Sequence, residues 1–194
     1  MNVKHSLILF MHPSESSFNR SLCDQVQAGL QNAGGSVDVR DIYDISFDPV
    51  LTQYEYEQSI EGRYSQDVLK EQTYIETADE VIIIFPVWWG MFPARGKGYL
   101  DRVLSYGFAY ELEGEEPIPQ LNNKDVSLVF TTGAPSEEWK NSGMHEAMVH
   151  LIDRSILQFC GLSLRRTVHY GNVIQASDKE RQAMLEDVYH QFNQ

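Results

Sequence analysis

Three short stretches of this sequence carry residues that could do chemistry together. The first is His12-Pro13-Ser14-Glu15-Ser16-Ser17-Phe18-Asn19. Ser17 is a good N-cap for a helix starting at Phe18. The free amides of that first turn, at the positive end of the helix dipole, suit phosphate. A capped turn without a ligand explains the same residues equally well. The second stretch is Pro86-Val87-Trp88-Trp89-Gly90-Met91-Phe92-Pro93-Ala94. Its large apolar side chains are costly in water, and an aromatic ligand plane would give them something to cover, as would a neighbouring helix or subunit. The third is Thr131-Thr132-Gly133-Ala134-Pro135, whose hydroxyls and backbone amides suit the polar edge of a ring. Downstream of it stand Trp139 and His145. A histidine there can stabilise a developing anion or pass a proton. Of the six histidines, only His12 and His145 are expected to act in this way. The glycine-rich phosphate fingerprints GxGxxG and GxxxxGK(S/T) are absent, which argues against the commonest dinucleotide domains and nucleotide hydrolases.

The elements that must position these loops alternate along the chain. Short apolar runs at 6–11, 81–85 and 126–130 read as buried strands, with further strands at 37–40 and 163–169. Helical patterns fill 18–33, 66–78, 97–104, 145–159 and 178–190. Residues 44–64 are polar, aromatic and irregular, and a Pro-rich acidic loop precedes 126. Such βα alternation predicts a parallel sheet covered by helices on both faces. Ligands in such sheets bind beyond the carboxyl ends of the strands, where the winding reverses. The three stretches follow the first, third and fourth strands, so they are expected at one rim. No repeat or linker divides the chain, and 1–194 is expected to form one domain.

Composition narrows the function classes. Fifteen basic against 28 acidic residues give a formal net charge of −13. That surface repels phosphate backbones and anionic membrane leaflets, so nucleic-acid binding is a poor expectation. Cys23 and Cys160 have no partner at ligand spacing and read as small buried hydrophobes. No metal site is expected. The N-terminal apolar run is too short for a signal-peptide core, and no stretch is apolar for the ~20 residues a bilayer demands. A cytoplasmic protein without membrane insertion is expected.

Taken in order, the motifs resemble the flavodoxin-like NAD(P)H:quinone oxidoreductase family, particularly its small bacterial members. The similar stretches begin with His12-Pro13 and Ser17-Phe18-Asn19. They continue through Glu71-Gln72, Ala78-Asp79, Val81-Ile82, Phe85-Pro86, Trp89, Pro93-Ala94, Lys97-Gly98 and Arg102-Val103. Gly107-Phe108-Ala109-Tyr110, Thr131-Thr132-Gly133 and Phe159-Cys160-Gly161 complete the set. The resemblance implies a flavodoxin-like doubly wound α/β sandwich, with a five-stranded parallel sheet in the order 2-1-3-4-5. It implies FAD, or FMN, in a homodimer, with NAD(P)H as co-substrate and a quinone or similar small aromatic acceptor. By position, His12, Ser17, Phe18 and Asn19 would hold the phosphates. Pro86, Val87, Trp88, Trp89 and Gly90 would line the isoalloxazine, and Thr131, Thr132 and Gly133 would bond its polar edge. Trp89, Met91, Phe92, Tyr110 and His145 would receive the acceptor. Family members place a tyrosine six residues before the catalytic histidine. Here that position is Trp139, which the resemblance pairs with His145 as catalytic; its indole can donate one N–H but cannot lend and recover a proton as readily as a tyrosine hydroxyl. The same resemblance leaves room for a flavodoxin-type electron carrier, for an ancillary subunit of a glutathione-gated potassium efflux system, and for azo or nitro reduction at the same site.

Overall fold

In the computed structural model, which describes residues 3–122 and 124–194, strands and helices succeed one another as the alternation demands. The chain runs β1 (His5–Phe10), α1 (Phe18–Asn32), β2 (Ser36–Asp41), α2 (Gln53–Ile60), α3 (Gln66–Thr77), β3 (Glu80–Pro86) and α4 (Ala94–Val103). It continues through β4 (Tyr110–Glu113), β5 (Glu116–Pro119), β6 (Lys124–Thr131), α5 (Ser136–Asn141) and α6 (Met144–Ile152). A π-helical turn (Asp153–Leu157) joins α6 to the short α7 (Gln158–Cys160), and β7 (Leu162–Tyr170) and α8 (Asp178–Phe192) close the fold.

Five strands form one parallel sheet in the order β2-β1-β3-β6-β7. The spatial sequence of sheet strands is the expected one, but its numbering is corrected from 2-1-3-4-5. The stretch read as a Pro-rich loop contains an antiparallel hairpin, β4–β5, turning at Gly114-Glu115, which stands outside the main sheet. The segment 44–64 is corrected too. Thr52 accepts from the Glu55 amide, and the Glu55 side chain bonds back to the Thr52 N–H. This T-x-x-E capping box starts α2, a signal present in the sequence and overlooked there. The helix expected over 145–159 forms, with the π-helical turn inside it.

Period-two alternation divides the apolar strand residues between two cores. Leu7, Leu9, Ile83, Phe85, Leu128 and Phe130 face α3, α4 and α6, while Ile8, Phe10, Ile82, Ile84 and Val129 face α1 and α8. Burial on both sides explains why these strands read as continuous apolar runs. Each such side chain contributes roughly 1.5–3 kcal/mol on burial.

One irregularity bears on the site. Leu164 pairs with Val126, but Arg166 pairs with Ser127, so Arg165 is an extra residue bulged out of β7. Every later residue of β7 is thereby shifted one place, since a one-residue slip exchanges the faces of a strand. Val168 joins Val129 on one face, and His169 comes to lie beside Phe130 on the other.

Candidate active site

The carboxyl ends of β1, β3 and β6 bring the three stretches to one rim, and named contacts tie them together. Ser17 has the extended backbone of an N-cap, and its hydroxyl accepts from the Arg20 N–H at 3.1 Å. The Phe18 and Asn19 amides make no hydrogen bond among the described residues, so two donors of the first turn stay free for an anion. His12 Nδ1 accepts from the Ser14 N–H at 3.0 Å, which leaves Nε2–H as the donor of the neutral ring. Burial pushes the His12 pKa down, so this ring offers a hydrogen bond more than a charge.

Asn19 departs from the sequence expectation. It is only 4% exposed, and its Nδ2 donates to Thr131 Oγ1 at 2.9 Å, fastening α1 to the end of β6. Its side chain therefore faces the third stretch rather than an incoming phosphate, and only its backbone amide is free. The side-chain Oδ1 is buried without a partner among the described residues, a cost of the kind that native folds tolerate at few places.

The second stretch folds into a two-residue turn. Trp88 N–H donates to Met91 O and Met91 N–H to Trp88 O, both at 3.1 Å, while Trp89 and Gly90 take φ of 53° and 78°. This is a type I′ turn, in which glycine suits the second central position. Tryptophan at the first costs on the order of 1 kcal/mol. The strained residue is also 104% exposed, its indole wholly in solvent. Trp88 is exposed too, and stands edge-on to His12 with ring centres 5.9 Å apart. The Trp89 and Gly90 amides make no hydrogen bond among the described residues, whereas Val87 N–H donates to Thr131 O at 2.8 Å. Pro86 is buried at the end of β3.

Two residues expected in the apolar slot lie elsewhere. Phe92 is buried against Phe85, with ring centres 4.5 Å apart, because the turn folds it back into the core. Tyr110 starts the β4–β5 hairpin and packs edge-on against Phe159 at 4.7 Å. It lines a groove of about 690 Å³ with Tyr54, Tyr56, Ile60 and Leu112. Within the chain it does not join the tryptophans. Met91 stays half-buried, close to them.

The third stretch supplies fewer free groups than its composition suggests. Thr131 is buried and accepts from Asn19. Thr132 N–H donates to Tyr170 O at 3.0 Å, and the Thr132 hydroxyl donates to Ala134 O at 2.8 Å. Thr132 therefore has neither its amide nor its hydroxyl proton to spare for a ring edge. Gly133 is exposed, and its amide and that of Ala134 make no hydrogen bond among the described residues. Gly171 braces this turn. It donates to Ser136 Oγ at 2.7 Å, and a Cβ on it would sit 2.2 Å from the Ser136 nitrogen.

His145 lies in the first turn of α6, half-buried, with its Nδ1 3.3 Å from Nδ1 of His169. Its ring centre is 5.6 Å from that of Phe130. Trp139, on α5, is half-buried and edge-on to His169 at 5.8 Å, and makes no hydrogen bond to either histidine among the described residues. Thr132 Oγ1 lies 2.8 Å from His169 Nε2. His169 is thus a site residue that sequence reading passed over. Burial first, then the neighbouring His145 and Lys140, push its pKa down to about 4.

Among the unengaged donors of the three stretches are the amides of Phe18, Asn19, Trp89, Gly90, Gly133 and Ala134, and the Trp89 indole beside them is exposed. That set suits a ligand with an anionic tail and a flat ring carrying polar acceptors on its edge. It fits a flavin nucleotide.

A family model described as a flavodoxin-like fold matches residues 4–192. The chain is 35% identical over 181 residues to an NAD(P)H oxidoreductase of Haemophilus influenzae, covering 93% of this chain and 90% of that one. It is 33% identical over 184 residues to NAD(P)H dehydrogenase (quinone) 1 of Rattus norvegicus, covering 84% and 67%. Among solved structures it resembles an NAD(P)H:quinone oxidoreductase from Methanothermobacter marburgensis, with a TM-score of 0.90, 29% identity, and 99% and 98% of the two chains covered. No helix among the described residues is long and apolar enough to cross a membrane.

Proposed function

The chain belongs to the flavodoxin-like NAD(P)H:quinone oxidoreductase family, and we propose that it is a flavin-dependent NAD(P)H oxidoreductase giving two-electron reduction of quinones or similar flat aromatic acceptors. The observation that carries the reading is that all three stretches, which follow β1, β3 and β6, keep backbone amides free of hydrogen bonds among the described residues, beside the exposed Trp89. When bound, a flavin supplies the hydride transfer from NAD(P)H to acceptor that no side chain can perform.

The chain's own residues bind and orient. The Phe18 and Asn19 amides and the His12 Nε2–H would hold the phosphates, with Ser17 keeping the turn capped. Pro86, Val87, Trp88, Trp89 and Gly90 would border one side of the ring. The Gly133 and Ala134 amides would bond its polar edge, as fixed donors suited to negative charge there. His145 holds or gives up a proton beside the acceptor. Met91 would meet the acceptor from the pocket that it lines together with Tyr110.

The reading includes FAD, with FMN as the alternative that extraction of the bound cofactor decides. It also includes a cytoplasmic homodimer. In support, Tyr54, Tyr56, Ile60 and Leu112 are all exposed along the groove beside Tyr110, an apolar surface that a second copy would cover.

Titration of the purified protein with FAD and with FMN, followed by NAD(P)H consumption with a quinone, tests the proposal. Saturating flavin should raise stability by about 2.7 kcal/mol at a free concentration 100 times Kd. A melting curve unmoved by either flavin would overturn the reading. Bound flavin with negligible quinone turnover would favour the regulatory-subunit role instead.

Trp89→Asn separates fold from site. Asn-Gly is the preferred dipeptide of a type I′ turn, and the wholly exposed indole has no contacts to lose. The apo variant should melt no lower than the parent and up to about 1 kcal/mol more stable. Its flavin affinity should fall about 10-fold through loss of aromatic contact. Unchanged flavin affinity would remove Trp89 from the cofactor site.

A further inference from the structure

Three side chains below the rim form one hydrogen-bonded row. Thr132 Oγ1 lies 2.8 Å from both Ala134 O and His169 Nε2, and His169 Nδ1 lies 3.3 Å from His145 Nδ1. The protons of this row can be assigned by elimination. A carbonyl only accepts, so the single hydroxyl proton of Thr132 goes to Ala134 O. Thr132 Oγ1 must then accept from His169, which makes His169 the Nε2–H form. Its pKa of about 4 keeps it neutral near pH 7, so its Nδ1 is a bare lone pair. His145 must donate to that lone pair through its own Nδ1–H. The basic nitrogen left to His145 is Nε2, which has no partner among the described residues.

We propose that His169, backed by Thr132, is the positioning residue that fixes His145 in its Nδ1–H form and so presents Nε2 as its proton-accepting nitrogen. The inference rests on the oxidoreductase reading above for its catalytic meaning. His169 acts as the orienting partner of His145, as a carboxylate does in hydrolase triads, but without adding negative charge. When Nε2 takes a proton, the hydrogen bond to His169 stays intact and the ring keeps its place. Residue 139 cannot supply this contact, because the Trp139 indole makes no hydrogen bond to either histidine among the described residues. The bulge at Arg165 sets His169 on the face where it meets both Phe130 and His145.

Tautomers can be read without turnover. Long-range proton–nitrogen NMR of the apo protein with labelled histidine, near neutral pH, distinguishes Nδ1–H from Nε2–H. Signals are assigned with His145→Gln and His169→Gln. Expected are the Nδ1–H form for His145, which free imidazole disfavours, and the Nε2–H form for His169. In Thr132→Val, His145 should shift toward Nε2–H. A wild-type His145 found as Nε2–H, or a Thr132→Val spectrum like the parent's, overturns the proposal.

In kinetics, His169→Phe should lower kcat roughly 10- to 100-fold, with KM for NAD(P)H and flavin affinity within about twofold. His169→Asn, whose Oδ1 can accept in place of Nδ1, should recover most of the loss. Phe and Asn variants of equal activity would overturn the assignment. A wild type showing the expected tautomers without quinone turnover would sink the oxidoreductase reading and leave the positioning intact.

Discussion

Glutamine in place of His145 should lower quinone turnover about 100-fold, the equivalent of about 2.7 kcal/mol of transition-state stabilisation, while flavin affinity stays within about twofold. An amide can hydrogen-bond where the imidazole did, but it cannot take up and return a proton. The side chain stands on the first turn of α6 and makes no hydrogen bond to α1 among the described residues. It is half-buried, its ring tilted against Phe130 and His169, and glutamine can still reach His169 with its amide, so folding should change by less than about 1 kcal/mol. Single-turnover reduction, steady-state kcat and KM, and a flavin titration together check this. Equal kcat in the variant removes His145 from the chemistry. A parallel loss of flavin makes it a cofactor ligand instead.

The largest effect on stability should come from Arg102→Met. The Arg102 side chain is 4% exposed, although it belongs to a surface helix. One of its terminal nitrogens donates to Asp48 O at 2.5 Å and to Asp67 Oδ2 at 2.8 Å, and the other reaches Ser65 and Glu55. The guanidinium also lies 4.3 Å from the centre of the Phe47 ring. One buried cation thus clamps 47–67, including α2 and the exposed Tyr54 and Tyr56, onto α4. Methionine keeps the volume but leaves two carboxylates and a carbonyl without their donor. Breaking a buried ion pair costs about 3–5 kcal/mol. Water reaches Glu55 and Asp67, which are 22% and 32% exposed, so about 3 kcal/mol is expected. That corresponds to a melting point lower by roughly 6–12 °C.

The pH dependence of that loss carries a sign. Burial alone would raise both carboxyl pKa values, but hydrogen bonds from Arg102, with Thr52 at Glu55 and Ser65 at Asp67, outweigh it and hold both below their ordinary 4.5 and 3.8. A depressed carboxylate favours the folded state above its unfolded pKa, and that contribution fades as pH falls toward its folded value. The gap between wild type and Arg102→Met should therefore be full at pH 6–7 and narrow steadily below about pH 4. A gap independent of pH would mean that Arg102 acts through packing on Phe47 rather than through charge. Because the clamp holds the tyrosine-bearing face, the variant should also associate less tightly if that face joins two copies.

Much of this protein can be read along the chain, because the signals involved are local. Apolar runs buried on both faces announce β1, β3 and β6, and Ser17 announces its own cap by side-chain chemistry alone. The T-x-x-E box of α2 was just as readable and lies within four residues. The identity of the three rim stretches, and with it the family, follows from such short-range patterns taken in order.

What a residue does once it reaches the rim is another matter, because that depends on partners distant in sequence. Asn19 looked like a phosphate donor until Thr131, 112 positions away, took its side chain. Thr132 lost its amide to Tyr170 and its hydroxyl to Ala134, so the free donors moved to Gly133 and Ala134. Phe92 turned into the core and Tyr110 into a separate groove. His169 became a neighbour of His145 only through the single-residue bulge at Arg165, which exchanges the two faces of β7 beyond it. Hydrogen bonds are satisfied pairwise, and each backbone amide donates mainly once. Sequence alone determined which groups arrive at the rim of the sheet; tertiary pairing decided which of them remain free to act.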